Sequence, residues 1–316
     1  MRLAVLGKRG SITGWTESTA AGLRAAGNEV LHLVTRDPRL AHGLERLLPR
    51  ARLLQHRLAR FRPELILLPN AFAAPLGILR AVRAAAGDAP VVGWMGDGFG
   101  EESRAKAACC DLIGYTDTGL LARHHALGFA SRACFLPHAV DPARALPPGR
   151  AARSEMMVFV ASPTPRRAAI VRAVERPLRL IGENWDRMAG PPHNIEPRRI
   201  PPGEVAAIYA AHRAVLNIHH ERNAVSGLNQ RSFEPYLCGA AVVSDMQPDL
   251  PLCFVPGEEV LVWADAVELN ALYARLGREP GLAARTAEAG RRRIIAEHSF
   301  AARLHTLAAA LGLRKI

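Results

Sequence analysis

Residues 214 to 245, AVLNIHHERNAVSGLNQRSFEPYLCGAAVVSD, enclose a dense polar segment between two apolar runs. The runs AVLNIHH (214–220) and AAVVSD (240–245) have the length and the aliphatic content of buried strands. Buried strands of this kind are typical of a parallel sheet that is covered on both faces. The polar segment would then lie at the carboxyl ends of the strands, where open α/β sheets bind ligands.

Within this segment, Asn229, Arg231 and Glu234 stand within six positions. Asn229 is a suitable N-cap for a predicted helix over 230–238 that Gly239 would end. Arg231 and Glu234 would share a face of that helix and could pair with each other. Alternatively, the carboxylate could accept hydrogen bonds from a ribose and the guanidinium could bind a phosphate.

The rest of the chain repeats the alternation of apolar runs with helix-like stretches. In the first half, strands are predicted at RLAVLG (2–7), EVLHLV (29–34), ELILLP (64–69), PVVGWM (90–95), DLIGYT (111–116) and ACFLPH (133–138). After a Pro-rich linker, DPARALPPGRAARS (141–154), strands are predicted again at MMVFVA (156–161), PLRLIG (177–182), 214–219 and 240–245. Helices are expected after 164, 203, 230 and 265, and from 280 onwards.

This pattern predicts an α/β protein of two doubly wound, Rossmann-like domains with a cleft between them. The expected boundaries are 1–145 for an N-terminal acceptor domain and 155–298 for a C-terminal domain that binds the ligand. The segment 299–316 is expected to be a helix that packs back towards the N-terminal domain. A length of 316 residues suits two domains of this size.

Composition narrows the class of protein. The formal charge is +12, but the positive residues are almost all Arg, aromatic residues make up only 5%, and no nucleic-acid-binding motif is present, so no nucleic-acid partner is expected. The basic stretch 36–62 is either a solvated helix face or a peripheral contact with an anionic membrane. The five cysteines form no CxxC pair, which indicates a reducing compartment and a cytoplasmic location.

Two loops that follow strands could bind a ligand. In PRRAAIVRAV (165–174), Pro165 suits a first helical turn that Ser162 or Thr164 would cap. Arg166 and Arg167 at that helix start oppose the helix dipole, which favours a bound anion such as a diphosphate.

The second loop is GKRGSITGW (7–15), which follows the first predicted strand. It matches neither a Walker A motif nor GxGxxG. Its residues Gly10, Ser11 and Thr13 form either a turn only or an acceptor-side contact.

The second half resembles the nucleotide-sugar region of GT-B glycosyltransferases, and among these the CgeB-like group related to spore-coat proteins. The pattern strand-N, loop, N-x-R-x-F-E and G is carried by Asn217, Asn229, Arg231, Phe233, Glu234 and Gly239. Further matches are LPLCFVPGEEVLVWADAVEL (250–269), HSFAAR (298–303) and FLPHAVDP (135–142). The similarity covers residues 110–303, whereas the first hundred residues match only in their alternating pattern.

The resemblance implies a glycosyltransferase that moves a sugar from a nucleoside diphosphate sugar to the hydroxyl of a glycan, protein or small molecule. Glu234 would hold the ribose, and Arg231, Arg166 and Arg167 would lie near the diphosphate. Retaining relatives carry an acid at the position of Ser226, so backbone N–H groups of Ser226, Gly227 and Leu228 would replace some of its contacts. No metal and no cofactor is expected, because Arg side chains and a helix N-terminus can stabilise the leaving group.

A catalytic base, if one is needed, would come from the first domain. Asp97 follows a strand within the Gly-rich sequence GWMGDGFG, and His138 precedes the linker. Each also has a purely structural explanation, as a turn aspartate or a hydrogen-bonding histidine. Two other functions remain open: a catalytically inactive nucleotide-sugar or glycan-binding homologue, and an NAD-dependent oxidoreductase, which the missing GxGxxG motif disfavours.

Overall fold

The computed structural model describes residues 1–8, 14–36, 50–146, 152–221 and 224–313. These residues form two compact units. The first unit consists of Met1–Ala143 and Ser299–Ile316, and the second of Arg144–His298.

A six-stranded parallel sheet forms the centre of the first unit. Its strands are β1 (Arg2–Lys8), β2 (Glu29–Arg36), β3 (Leu65–Pro69), β4 (Val91–Met95), β5 (Leu112–Tyr115) and β6 (Arg132–Phe135). The strand order is β2-β1-β3-β4-β5-β6, so the direction of winding reverses between β1 and β3. The six strands predicted in the first half of the sequence are confirmed.

Both faces of this sheet are buried. Ile66 and Leu68 of β3 contribute to one apolar cluster, and the alternate residues Leu65 and Leu67 contribute to another. Successive side chains of a strand point to opposite faces, so the continuous apolar runs of the sequence reflect cover on both sides. That cover includes the helices α1 (Trp15–Ala25), α2 (Arg50–Phe61), α3 (Leu76–Ala85), α4 (Arg104–Ala107) and α5 (Thr118–Ala126).

The second unit is built on another six-stranded parallel sheet. Its strands are β7 (Val158–Val160), β8 (Arg179–Ile181), β9 (Asn194–Glu196), β10 (Ala214–Asn217), β11 (Ala241–Asp245) and β12 (Leu261–Trp263). The order β12-β11-β10-β7-β8-β9 places the reversal of winding between β7 and β10. The sequence-based prediction lacked β9 and β12. Of the three residues of β9, only Ile195 is apolar, so its sequence shows no apolar run.

The helices of the second unit are α6 (Pro165–Arg172), α7 (Pro202–Ala210), α8 (Glu234–Leu237), α9 (Leu250–Cys253), α10 (Ala266–Arg278) and α11 (Leu282–Glu297). The helix predicted over 230–238 is wrong in its extent. Residues Gln230–Ser232 form a 3-10 turn, and only Glu234–Leu237 are α-helical. Pro235 has no N–H group to donate to an earlier carbonyl, so a continuous helix cannot pass through it. Gly239, at φ 71°, follows the end of α8.

The final helix, α12 (Phe300–Leu311), explains the HSFAAR motif. Ser299 caps it by accepting a hydrogen bond from the N–H of Ala302. Phe300 packs against Gly22 of α1 so closely that a Cβ atom on Gly22 would stand 2.0 Å from the phenyl ring. The guanidinium of Arg303 donates to the carbonyls of Pro137 and His138. Phe300 and Arg303 of this segment therefore anchor α12 to the rest of the first unit. None of the described helices is long and apolar enough to cross a membrane.

Candidate functional site

The carboxyl ends of β7 and β10 carry a cluster of polar side chains at the point where the winding of the second sheet reverses. Thr164 caps α6 by accepting a hydrogen bond from the N–H of Arg167, as predicted for a helix that begins at Pro165. The Thr164 hydroxyl also donates to Glu221, which follows β10, at 2.9 Å. The start of α6 is thus fixed beside the end of β10, and its N–H groups point to the edge where α/β sheets bind ligands.

Arg166 is the exposed guanidinium of this cluster. Its side chain is 39% exposed, and its Nη2 atom lies 2.9 Å from Oδ2 of the buried Asp245 at the end of β11. Its Nη1 atom donates to the carbonyl of His219 at 3.2 Å. These two contacts leave part of the guanidinium open to solvent at the start of a helix, which is a favourable place for an anion.

Arg167 lies deeper and has a different environment. Its guanidinium donates to the carbonyls of Ile218 and Ser162 and lies over the ring of Phe159. Burial, together with the nearby guanidinium of Arg231, lowers the pKa of Arg167 to about 9. Although the sequence suggested both arginines as diphosphate ligands, the geometry favours Arg166, because the Arg167 head is already bound to backbone carbonyls.

Arg231 approaches the same place from the 3-10 turn. Its Nη1 atom donates to Oδ1 of Asn217 at 3.0 Å, and the guanidinium also hydrogen bonds with Tyr209. It lies over the Phe159 ring at 5.6 Å, as Arg167 does at 5.7 Å. A single buried ring therefore supports two guanidinium groups, which brings the like charges of Arg167 and Arg231 together. The carboxylates of Glu221 and Asp245 are near enough to act on Arg167 as well.

Asn229 does not cap a helix through its side chain, contrary to the prediction. Its Nδ2 atom donates instead to Oδ1 of Asn217 at 3.0 Å. The buried Asn217 oxygen thus has two donors, Asn229 and Arg231. Satisfying a buried amide oxygen stabilises the fold more than a side-chain cap would stabilise a short 3-10 turn.

Glu234 is the first residue of α8 and is half-buried. Its negative charge contributes to the raised pKa of Tyr209, whose main cause is burial. The carboxylate is therefore near the Tyr209 hydroxyl, on the same side of the unit as Arg231. A partly exposed carboxylate at a helix start can accept hydrogen bonds from hydroxyl groups.

The loop of Ser226, Gly227 and Leu228 follows β10. The carbonyl of Ser226 accepts a hydrogen bond from the N–H of Asp249, which ties this loop to the segment after β11. Gly227 and Leu228 are buried, and Ser226 is half-buried. The suggestion that their N–H groups contact the donor sugar remains a prediction.

Sequence reasoning missed the most buried part of the cluster. His219 donates through its backbone N–H to Asp245, and its ring Nδ1 lies 2.6 Å from Asp245 Oδ1. Opposing effects act on the Asp245 carboxyl. Burial raises its pKa, but the contacts with His219 and Arg166 together lower the pKa by more, so the pKa lies below its usual range. The available signal was that polar residues end both apolar strands, Asn217 and His219 after one and Asp245 after the other.

In the first unit, Asp97 follows β4 and is exposed. Its Oδ2 atom accepts a hydrogen bond from Asn70 Nδ2 at 3.0 Å. His138 is partly buried, and its ring packs against Trp15 at 5.0 Å. Burial, with a smaller effect of Arg303, lowers the pKa of His138 to about 3. A histidine with so low a pKa is a weak base, and the exposed Asp97 remains the other candidate.

Three predicted contacts, Gly10, Ser11 and Thr13, lie outside the described residues, as does most of the first half of the basic stretch 36–62. Within the described ranges, no three His, Cys, Asp or Glu side chains are grouped so that they could hold a metal ion.

Residues 166–309 match the family model described as glycosyl transferase-like. No curated protein sequence matches the chain.

The fold is similar to that of solved glycosyltransferases along its whole length. Sucrose-phosphate synthase from Thermosynechococcus elongatus has 14% identity and a TM-score of 0.66, with 99% of each chain covered. Anabaena HepE in complex with UDP and glucose has 12% identity and a TM-score of 0.65, and its complex with UDP-glucose has 11% identity and a TM-score of 0.66. Each of these two comparisons covers 99% of this chain and 99% of the HepE chain. The chain has the GT-B glycosyltransferase fold, and residues 166–309, from the second unit into α12, are similar to the glycosyl transferase-like family.

Proposed function

We propose that this protein transfers a sugar from a nucleoside diphosphate sugar to an acceptor hydroxyl, and that the donor binds to the second unit. The observation that carries the proposal is the convergence of Arg166, Arg167 and Arg231 at the start of α6. Three guanidinium groups in one place repel each other, and a bound diphosphate would relieve that repulsion. The structures of HepE with UDP and with UDP-glucose support a donor of this class.

Arg166 and Arg231 are the residues proposed to bind the diphosphate. Arg166 has an open guanidinium at the start of α6, where the helix dipole adds to its charge. When the bond between the anomeric carbon and the diphosphate oxygen breaks, negative charge develops on that oxygen. Fixed donors that stabilise this charge are worth roughly 3 kcal/mol each in comparable enzymes. The positive charge at this site therefore supports a mechanism without a metal ion or cofactor.

Glu234 is proposed to accept hydrogen bonds from the ribose hydroxyls. It stands at the start of α8, three residues after Arg231, so a diphosphate near Arg231 would bring the attached ribose towards it. Because hydrogen bonds to an ionised carboxylate are strong, this contact would add to affinity without taking part in the chemistry. Glu234 is accordingly a binding residue, and not a catalytic acid.

The acceptor oxygen would form a new bond to the anomeric carbon as the diphosphate leaves, and its proton would pass to the departing oxygen or to a protein base. In the first route the diphosphate itself accepts the proton, and the sugar keeps its configuration. We favour this retaining route because it needs no protein base, and His138, whose pKa burial lowers to about 3, is a weak base. Asp97 is the alternative base.

A peripheral membrane contact is proposed for the exposed face of α2. Arg52, Arg57 and Arg60 are exposed on this helix, and Leu53 among them is 58% exposed. Positive charge next to an apolar side chain fits an anionic lipid surface. The five cysteines are free thiols, which supports a reducing, cytoplasmic location for this contact.

Vesicles with and without phosphatidylglycerol test the membrane contact. Wild-type protein should sediment with the anionic vesicles only, and the variant Arg57→Glu with Arg60→Glu should stay in solution. Equal sedimentation of both proteins would show that the face is only solvated.

Thermal unfolding in the presence of UDP, GDP, dTDP, CDP or NAD tests the proposed function. A nucleoside diphosphate should raise the melting temperature, and the corresponding sugar nucleotide should be consumed when suitable acceptors are supplied. Stabilisation by NAD alone would contradict the proposal and support an oxidoreductase. Binding of a sugar nucleotide without hydrolysis or transfer across many acceptors would support an inactive homologue.

A further inference from the structure

The two guanidinium groups proposed to bind the diphosphate are joined by a continuous chain of buried hydrogen bonds. The chain runs from Arg231 to Arg166 through Asn217, Ser232, His219 and Asp245. Arg231 donates to Asn217 Oδ1 at 3.0 Å, and Asn217 Nδ2 donates to the Ser232 hydroxyl at 3.0 Å. We call the four residues Asn217, Ser232, His219 and Asp245 the buried polar chain, because none is more than 3% exposed.

The other half of the buried polar chain passes through the imidazole. The Ser232 hydroxyl lies 3.5 Å from Nε2 of His219, and Nδ1 of His219 lies 2.6 Å from Asp245 Oδ1. Arg166 is the last group in this series of hydrogen bonds, and it donates to Asp245 Oδ2. One arrangement of protons satisfies every link: Ser232 donates to Nε2, and a neutral imidazole donates from Nδ1 to the carboxylate.

Asp245 is an unexpected residue for a diphosphate site. A buried carboxylate close to the proposed position of two negative phosphates would repel them if it acted only through its charge. Its oxygens, however, already accept from the backbone and ring of His219, from Arg166 and from Gln247. The carboxylate is thus neutralised and hydrogen-bonded on several sides, and Arg166 is held in one orientation.

We propose that Asp245, oriented by His219, is a positioning residue that holds the Arg166 guanidinium in place for the donor diphosphate. The inference rests on the proposed function. Removal of the carboxylate therefore weakens diphosphate binding, although it takes away a negative charge. A residue that acted only through charge would produce the opposite effect, so the sign of the change separates the two explanations.

The test measures affinity for UDP, GDP, dTDP and CDP by calorimetry, using the nucleotide that stabilises the wild-type chain most. Asp245→Asn keeps the shape of the side chain but presents an N–H group to Arg166. We expect about tenfold weaker binding, the loss of one hydrogen bond to a charged group. In an Arg166→Ala background, Asp245→Asn should have almost no further effect, because the residue through which it acts is gone.

Glu196→Gln is the matched control. It removes the ion pair between Glu196 Oε1 and Arg179 Nε, which are 2.7 Å apart. This ion pair lies in the same unit, but at the edge of the sheet formed by β9. It should lower the melting temperature and leave nucleotide affinity unchanged. This control separates general destabilisation of the unit from loss of Arg166 positioning.

A second pair of variants tests the proposal even if Asp245→Asn does not fold. His219→Asn keeps a side-chain N–H at the position of Nδ1 and should retain affinity within about threefold, whereas His219→Leu should lose about tenfold. If folded Asp245→Asn or His219→Leu binds nucleotide as tightly as wild type, or more tightly, the positioning role is overturned. If the wild-type chain itself binds no nucleoside diphosphate, the proposed function and this inference are both overturned.

Discussion

At the candidate site, what a side chain can bind depends on its burial as much as on its chemical type. Arg166 and Arg167 are neighbours in the sequence with the same side chain. One is 39% exposed and pairs with Asp245, whereas the other is buried and donates to backbone carbonyls. Sequence reasoning treated the two as equivalent, because nothing local distinguishes them. The strand ends packed around α6 leave the first partly exposed, where we propose that it binds the donor, and hold the second against backbone carbonyls.

Glu234 offers a test that distinguishes ribose binding from diphosphate binding. Glu234→Gln keeps the side-chain volume but removes the charge that strengthens hydrogen bonds to hydroxyl groups. We expect affinity for UDP, or for the preferred nucleoside diphosphate, to fall roughly tenfold to a hundredfold, as measured by calorimetry. Affinity for inorganic pyrophosphate should stay unchanged, since it has no ribose.

Arg166→Ala is the reference variant for this comparison and should weaken the binding of both ligands. Equal affinity of Glu234→Gln and wild type for the nucleotide would show that Glu234 does not contact the ribose. Loss of pyrophosphate affinity in Glu234→Gln would place the carboxylate near the diphosphate instead.

At the level of elements, the short helix α8 depends on its neighbours. A helix of four residues has little intrinsic stability. Arg153 binds the carbonyls of Tyr209, Ala210, Cys238 and Gly239 at the ends of α7 and α8. The Tyr236 hydroxyl donates to the carbonyl of Glu259, and its ring packs directly on Gly290 of α11. These contacts hold the helix that carries Glu234.

Gly290 should therefore resist substitution. A Cβ atom at this position would stand 2.2 Å from the Tyr236 ring, so Gly290→Ala must displace that buried ring. We expect a loss of about 1–3 kcal/mol in the free energy of unfolding, measured by denaturant titration, together with weaker nucleotide binding.

Two other glycines serve as controls for Gly290. Gly22→Ala places a Cβ atom 2.0 Å from Phe300 and should destabilise the first unit without a direct effect on the donor site. Gly77→Ala, in α3, meets no atom within 4 Å and should be neutral or stabilising by up to about 1 kcal/mol. Equal stability of Gly290→Ala and Gly77→Ala would contradict the proposed packing.

At the level of the whole molecule, buried neutral histidines link stability to pH. Burial is the main cause of the lowered pKa of His124, His138, His193 and His212. Because the folded-state pKa of each lies below the unfolded value of about 6.5, the unfolded chain binds protons first as pH falls. The stabilising effect is complete above that value and is lost as pH decreases towards the folded pKa values.

We expect the free energy of unfolding to decrease between pH 7.5 and pH 5, with a slope of at most about 1.4 kcal/mol per pH unit for each histidine. Denaturant titrations at several pH values measure it. His193 provides the variant, because its Nε2 atom donates to the carbonyl of Val171 and its Nδ1 atom accepts from the N–H of Leu178. His193→Gln should make the slope shallower. A stability independent of pH over this range would contradict the expectation.

The amino-acid sequence by itself determined the alternation of strands and helices, the start of α6 at Pro165, and the presence of polar residues at the ends of buried strands. These are local properties, which follow from side-chain periodicity, from the missing N–H of proline and from helix capping. The order of the strands is not local, because it depends on contacts between segments far apart in the chain. Only the tertiary structure placed β10 beside β7 and β11, and so brought Asp245 and His219 to Arg166. The tertiary structure also shows that the Asn229 side chain donates to Asn217 and does not cap a helix. The need to satisfy the buried Asn217 oxygen outweighs the local preference of Asn for a helix cap.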